Sequence, residues 1–337
     1  MLFRQDPERV HERITAMGKY LSDSWLKRQI DAIYNFEDKR LNTKVFGIDF
    51  KNPVGLAAGF DKNGELLDFL PSLGFGFIEM GSVTARFSQG NPKPRIYRIP
   101  KDKAIINNTG LPNNGVDRVF EKLQSFMPKI PMGINIAKTH DPNILGEAAI
   151  LDMCYSFIRL YGQTDYLTLN ISCPNTKEGK TFEEKDALDE LLSALYDIRS
   201  NFSTKKPVLL KISPDLSFES IDDILEVAEN YDIDGYVISN TSLKREGLRT
   251  SPRQLSKITE GGLSGLPIRD ISTELIRHVK ERLPERIIIG SGGIFSAFDA
   301  YEKMIAGASL VQVYTGLIYE GPGLVKKINK GLLNYFT

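Results

Sequence analysis

Cysteine is scarce in this 337-residue chain: it carries two, Cys154 and Cys173, with no CxxC spacing around either. That sets aside a disulfide framework. Histidine is nearly as rare. His11, His140 and His278 stand too far apart in sequence for a helical metal pair, so neither metal chemistry nor a Ser-His-Asp triad is expected. Charge of one sign is missing too, since 43 Lys and Arg balance 43 Asp and Glu, and nucleic acid is therefore not expected as a partner. No stretch approaches the roughly 20 uninterrupted apolar residues of a membrane span, and the opening residues lack a signal peptide's apolar core. The expected location is cytoplasmic, with any membrane contact peripheral.

What is present is the composition of an ordinary globular protein, 41% hydrophobic and 26% charged. The length is large for one domain, yet admissible for an α/β barrel. Short apolar, β-rich runs alternate with longer segments of helical periodicity, the pattern of βα units. Eight such runs are present: 54–59, 77–83, 132–137, 166–172, 208–213, 235–240, 287–292 and 310–316. They are apolar on both faces, as parallel strands covered on each side should be. Helical stretches such as 182–200, 217–230 and 296–306 lie between them. Eight strands each followed by a helix predict a (β/α)8 TIM barrel over residues 45–337. A doubly wound open sheet competes, but its first turn would normally read GxGxxG, and here it reads Ala57-Ala58-Gly59-Phe60-Asp61-Lys62.

Residues 1–44 form a separate small extension. Asp6-Pro7-Glu8 is a helix start, with an N-cap acid, proline at the first helical position and a further acid in the first turn. Val10, Ile14, Met17 and Leu21 follow at helical spacing. After a break at Ser22-Asp23-Ser24, the residues Trp25, Leu26, Ile30, Ile33 and Tyr34 repeat the pattern, which predicts an amphipathic two-helix hairpin. Its apolar stripes could pack on the barrel. They could equally form the entrance for a lipophilic ligand at a membrane surface. Nine basic against seven acidic residues over 1–44 do not decide between these.

Barrel enzymes build their sites at the C-terminal ends of the strands, and here those ends are polar. The first leads into Asp61-Lys62, the third holds Asn135, the fourth ends in Asn170 to Asn175, the fifth holds Lys211 and the sixth ends Ser239-Asn240-Thr241. Some of these would serve as helix caps. Asparagines and lysines converging on one mouth suggest a small planar anion with amide and carbonyl edges, because Asn offers donor and acceptor in one rigid group. Gly290-Ser291-Gly292-Gly293 and Tyr314-Thr315-Gly316, after the last two strands, fall where many barrels hold a phosphate. Cys154 lies in a helical run and reads as packing. Cys173 could also be a buried small hydrophobe. Its polar, proline-fixed loop favours function, as a general base rather than the nucleophile of a Cys-His pair.

Four motifs carry a family resemblance: Asn170-Ile171-Ser172-Cys173-Pro174-Asn175, the run 52–62 (NPVGLAAGFDK), Gly261-Gly262-Leu263-Ser264-Gly265, and Gly307-Ala308-Ser309-Leu310-Val311-Gln312. Over essentially its whole length the chain resembles the dihydroorotate dehydrogenases. The resemblance implies oxidation of (S)-dihydroorotate to orotate in pyrimidine biosynthesis, with FMN taking the hydride. It implies FMN contacts at Ala58, Gly59, Ser82, Asn135, Asn170, Lys211, Ser239, Gly265, Gly293, Tyr314 and Thr315. Orotate would meet Lys62, Asn107, Asn108, Thr109, Gly110, Leu111, Asn170, Asn175, Asn240 and Thr241. Cys173 would be the base, Lys211 would stabilise negative charge on the reduced flavin, and Thr176 could relay the proton.

The same resemblance divides over the electron acceptor. The run 2–11 (LFRQDPERVH) and Lys93-Pro94-Arg95-Ile96-Tyr97-Arg98 look like the membrane-associated, quinone-reducing enzymes, which usually use serine as base. Cys173 and the loop 107–113 (NNTGLPN) look like the soluble enzymes that use fumarate or NAD and lack the N-terminal helices. Taking the helices as decisive, the expected acceptor is a quinone and the expected location the cytoplasmic face of the membrane. The alternatives are a soluble fumarate- or NAD-linked enzyme and another FMN-barrel pyrimidine reductase.

Overall fold

The computed structural model describes residues 5–172, 181–258 and 260–335. Eight parallel strands close into a barrel in the order β3 (Val54–Leu56), β4 (Phe77–Val83), β7 (Met132–Ile136), β8 (Tyr166–Asn170), β9 (Val208–Ile212), β10 (Gly235–Ile238), β12 (Ile287–Ser291) and β13 (Leu310–Val313). Closure is made where Val311 to Val313 of β13 pair with Val54 to Leu56 of β3. All eight apolar runs became these strands, so the fold is the expected (β/α)8 barrel.

Inside the barrel the side-chain period of two grades the chemistry along the axis. At the bottom Phe77, Tyr166, Leu209, Ile289 and Leu310 form an apolar plug. Two glycines make room for its rings: a Cβ on Gly55 would lie 2.3 Å from the Phe77 ring, and one on Gly133 2.1 Å from the Tyr166 ring. One step up the strands stand Glu79, Asn135, Thr168, Lys211 and Gln312, all buried. A further step reaches the mouth at Asn170 and Ser239. The antiparallel hairpin of β1 (Thr43–Val45) and β2 (Ile48–Phe50) covers the bottom with Val45 and Phe50, the latter edge-on to Phe77. The expected junction at residue 44 falls within β1.

The outer ring is formed by α3 (Val116–Leu123), α4 (Glu147–Leu160), α5 (Lys185–Ser200), α6 (Phe218–Asn230), α8 (Arg269–Arg282), α9 (Ala297–Ile305) and α11 (Leu324–Leu332). Ser217 and Ser296 cap α6 and α9 through their hydroxyls. Strict alternation of strand and helix does not hold everywhere. After β3 the chain turns through a short 3-10 segment, Leu70–Leu73, and α2 (Leu26–Tyr34) packs on it. The connections after β4 and β10 contribute β5 (Ile96–Ile99), β6 (Ala104–Asn107), α7 (Pro252–Leu255) and β11 (Gly262–Gly265). Strands β5, β6 and β11 form an antiparallel sheet separate from the barrel. Four-residue strands from distant connections leave little periodicity to read in advance.

The N-terminal hairpin is formed by α1 (Pro7–Ser22) and α2. Asp6 accepts the Arg9 amide as N-cap, at 2.9 Å. The second apolar stripe divides: Ile30 and Tyr34 pack inward, whereas Trp25 and Ile33 are 68% and 58% exposed. Among the described residues no helix is long and apolar enough to cross a membrane.

Candidate active site

A cavity of about 630 Å³ opens at the C-terminal end of the barrel and continues outward beneath α1 and α2. At the barrel end it is lined by Ala58, Gly59, Ser82, Asn170, Lys211, Ser239, Gly265, Gly293, Tyr314 and Thr315, ten of the eleven positions expected to hold FMN. Lys62, Asn107, Thr109, Leu111, Asn240 and Thr241, expected at orotate, line it as well. Asn108 and Gly110 belong to the same loop but not to the lining. Asn135 lies one layer below, fully buried. Cys173, Asn175 and Thr176 lie outside the described residues.

A hydrogen-bonded chain fixes the polar floor. Glu79 accepts from Gln312 Nε2 at 2.8 Å, Asn135 Nδ2 at 3.0 Å, Thr168 Oγ1 at 3.2 Å and Tyr166 Oη at 3.3 Å. The Ser82 hydroxyl donates to Asn135 Oδ1 and accepts from Asn170 Nδ2 at 3.2 Å. Asn240 Nδ2 donates to Asn170 Oδ1 at 3.2 Å and to the Ser172 carbonyl at 2.7 Å. Ser82, Asn135 and Asn170 are each held from two sides, so the amide edges presented to the cavity are preorganised.

Lys211, Lys62, His11 and Arg98 are the cationic or basic groups that line this space. Lys211 is buried, which depresses the affinity of its amine for a proton, and the charge of Glu79 opposes that effect. Among the described residues no acceptor lies within hydrogen-bond reach of its Nζ. Lys62 donates to the Gly59 carbonyl at 2.8 Å. Burial and the nearby Arg95 push its pKa down to about 8, against Asp61 and Glu8. His11 of α1 packs edge-on to Phe60, with ring centres 5.0 Å apart. Burial and the charge of Lys62 hold its pKa down to about 4, so the imidazole is neutral at pH 7.

Toward the surface the lining turns apolar. Val10, Ile14, Met17 and Leu21 of α1 join Ile30 and Tyr34 of α2, Ile96 of β5 and Ile105 of β6. Sequence reasoning passed over several residues here. Glu79 and Gln312 are polar residues inside otherwise apolar strands, a visible signal of an interior polar layer. Arg95, which grips Glu8 of α1, gave no signal of its role because the pair is 87 residues apart.

Among the described residues no cluster of His, Cys, Asp or Glu could hold a metal. The dihydroorotate dehydrogenase family model matches residues 40–336. A protein of Christiangramia forsetii named dihydroorotate dehydrogenase (quinone) is 43% identical, over 98% of this chain and 96% of that protein. One of Gloeobacter violaceus with the same name is 41% identical, over 97% and 90%. Among solved structures, ligand-free dihydroorotate dehydrogenase of Eimeria tenella superposes with a TM-score of 0.86 at 34% identity, covering 98% of this chain and 95% of that one. The ferulenol complex from the same organism gives 0.85 at 33%, covering 98% and 91%. With the fold, the strand-end chemistry and these likenesses in agreement, the chain belongs to the dihydroorotate dehydrogenase family.

Proposed function

We propose that this protein oxidises dihydroorotate to orotate with FMN as its bound cofactor and passes the electrons to a quinone. One observation carries the reading: a single cavity that is polar and cationic at the barrel mouth and apolar between α1 and α2. The first end suits a charged pyrimidine and the second a lipophilic acceptor.

The residues fit the cofactor. Lys211 offers a buried ammonium without an acceptor among the described residues, suited to negative charge on a reduced isoalloxazine. Gly292, Gly293 and Thr315 line the same cavity and would hold the phosphate. When bound, FMN supplies the acceptor for the hydride leaving C6 of dihydroorotate.

The chain's own residues do the rest. Cys173 takes the proton from C5, and the carbonyl of the preceding residue, Ser172, is fixed by Asn240. Lys62 holds the substrate carboxylate, assisted by the Thr109–Leu111 segment. Asn107, Asn170, Asn240 and Thr241 bind the ring edges. Thr176, three residues after Cys173 in the sequence, would relay the proton. The exposed Met17, Tyr20, Trp25 and Ile33 of the helical hairpin support peripheral docking on a membrane, where a quinone would enter.

The second reading is a soluble acceptor, favoured by cysteine at the base position. Anaerobic reduction of the purified protein with dihydroorotate, followed by mixing with a quinone analogue, fumarate or NAD, separates the two. Rapid reoxidation by the quinone analogue is expected. Reoxidation by fumarate or NAD alone removes the quinone assignment.

A further inference from the structure

Arg95 stands immediately before β5 and reaches in two directions. Its Nη1 donates to the carbonyls of Gln89 at 2.8 Å, Asn91 at 2.9 Å and Thr109 at 3.4 Å. Its Nε and Nη2 donate to Glu8 of α1, at 3.1 and 2.7 Å. Both side chains are withdrawn from water, 9% and 13% exposed. The backbone completes the clamp: the Asn108 amide donates to the Arg95 carbonyl at 2.7 Å, and the Asn91 amide to the Thr109 carbonyl at 2.9 Å. Thr109 and Leu111, on the other side of this loop, line the cavity.

We propose that Glu8 is a positioning residue for the dihydroorotate end of the cavity. Through Arg95 it fixes the loop from Asn107 to Leu111, so helix α1 serves the substrate site as well as the acceptor corridor. This rests on the reading of that end as the orotate site. The physical reason is the cost of a buried guanidinium without its acid: it turns toward water and releases the carbonyls it holds. A second effect runs through charge. The charged groups acting on Lys62 are Arg95, which lowers the affinity of its amine for a proton, and Asp61 and Glu8, which raise it, while His11 beside it is neutral at pH 7. Removing the charge of Glu8 leaves Arg95 less compensated, and the Lys62 ammonium is lost at lower pH.

The test compares the flavin-loaded full-length protein with Glu8→Gln and Glu12→Gln. Glu12 is exposed on the same helix and pairs with Lys93. Orotate binding is measured by calorimetry from pH 6 to 9, and KM for a quinone analogue by steady-state assay. In Glu8→Gln the Kd for orotate is expected to rise about tenfold at pH 7. The pH above which affinity falls as the Lys62 ammonium is lost is expected to move down relative to the parent. The quinone KM should stay within about twofold, and Glu12→Gln should match the parent in both. An orotate Kd and pH profile unchanged by Glu8→Gln overturn the proposal. So does a parallel rise in orotate Kd and quinone KM, which would mean that α1 is merely displaced. A parent protein that fails to bind orotate overturns the substrate assignment itself, and this proposal with it.

Discussion

Asn240 at the end of β10 donates its side-chain amide to Oδ1 of Asn170 at the end of β8, at 3.2 Å, across the mouth of the barrel. The same amide holds the carbonyl of Ser172 at 2.7 Å. Two strands separated by β9 are thereby locked at the residue that leads into the segment beginning with Cys173.

Cys173→Ala is expected to slow flavin reduction by dihydroorotate by roughly 10²–10⁴-fold, the usual worth of a positioned base, while flavin stays bound. Anaerobic stopped-flow absorbance reads both quantities. Unchanged reduction kinetics would remove Cys173 from the mechanism.

Lys211→Met keeps most of the side-chain volume and removes the ammonium. Reduction by dihydroorotate is expected to fall roughly 100-fold, the scale of losing one preorganised electrostatic donor, with little change in orotate Kd. If the rate of reduction is preserved and only orotate binding weakens, Lys211 belongs to the substrate and not to the flavin.

Glu183 supplies a stability prediction. Burial raises its pKa to about 7, against the Ser213 amide and the Ser172 hydroxyl, which favour the ionised form. An acid whose folded-state pKa is raised favours folding while protonated, so its contribution is complete below the unfolded value near 4.5 and is lost as pH rises through about 7. Glu183→Gln should therefore gain on the parent by up to about 3 kcal/mol between those limits and hold that gain above pH 7. Urea unfolding at a series of pH values measures it, and parallel curves for the two proteins would refute the linkage.

Trp25 is the only tryptophan in the chain and is 68% exposed on the helical hairpin, so its emission reports on that face alone. Adding lipid vesicles is expected to shift the emission to shorter wavelength. Trp25→Ser should weaken vesicle partitioning roughly tenfold, equivalent to losing about 55 Å² of buried apolar surface at ~25 cal/mol/Å². An unshifted spectrum at saturating lipid would exclude docking through this face.

Much of the barrel was legible in advance because burial on both faces demands continuous apolar runs, and such runs are local in sequence. Each of the eight became a strand. The strand-end positions were legible for the same reason: in a barrel of parallel strands all the C-terminal ends point one way, so Lys62, Asn170, Lys211 and Asn240 had to meet.

The sequence by itself determined the barrel, the side on which its chemistry gathers and the family to which it belongs. The tertiary structure alone decided what depends on residues far apart in the chain. It joined β11 to β5 and β6, turned Trp25 and Ile33 to solvent while Ile30 and Tyr34 went inward, and set Glu8 against Arg95. Periodicity says that a helix has an apolar side. What that side meets, and which charges are buried with it, is fixed only when distant segments compete for the same space.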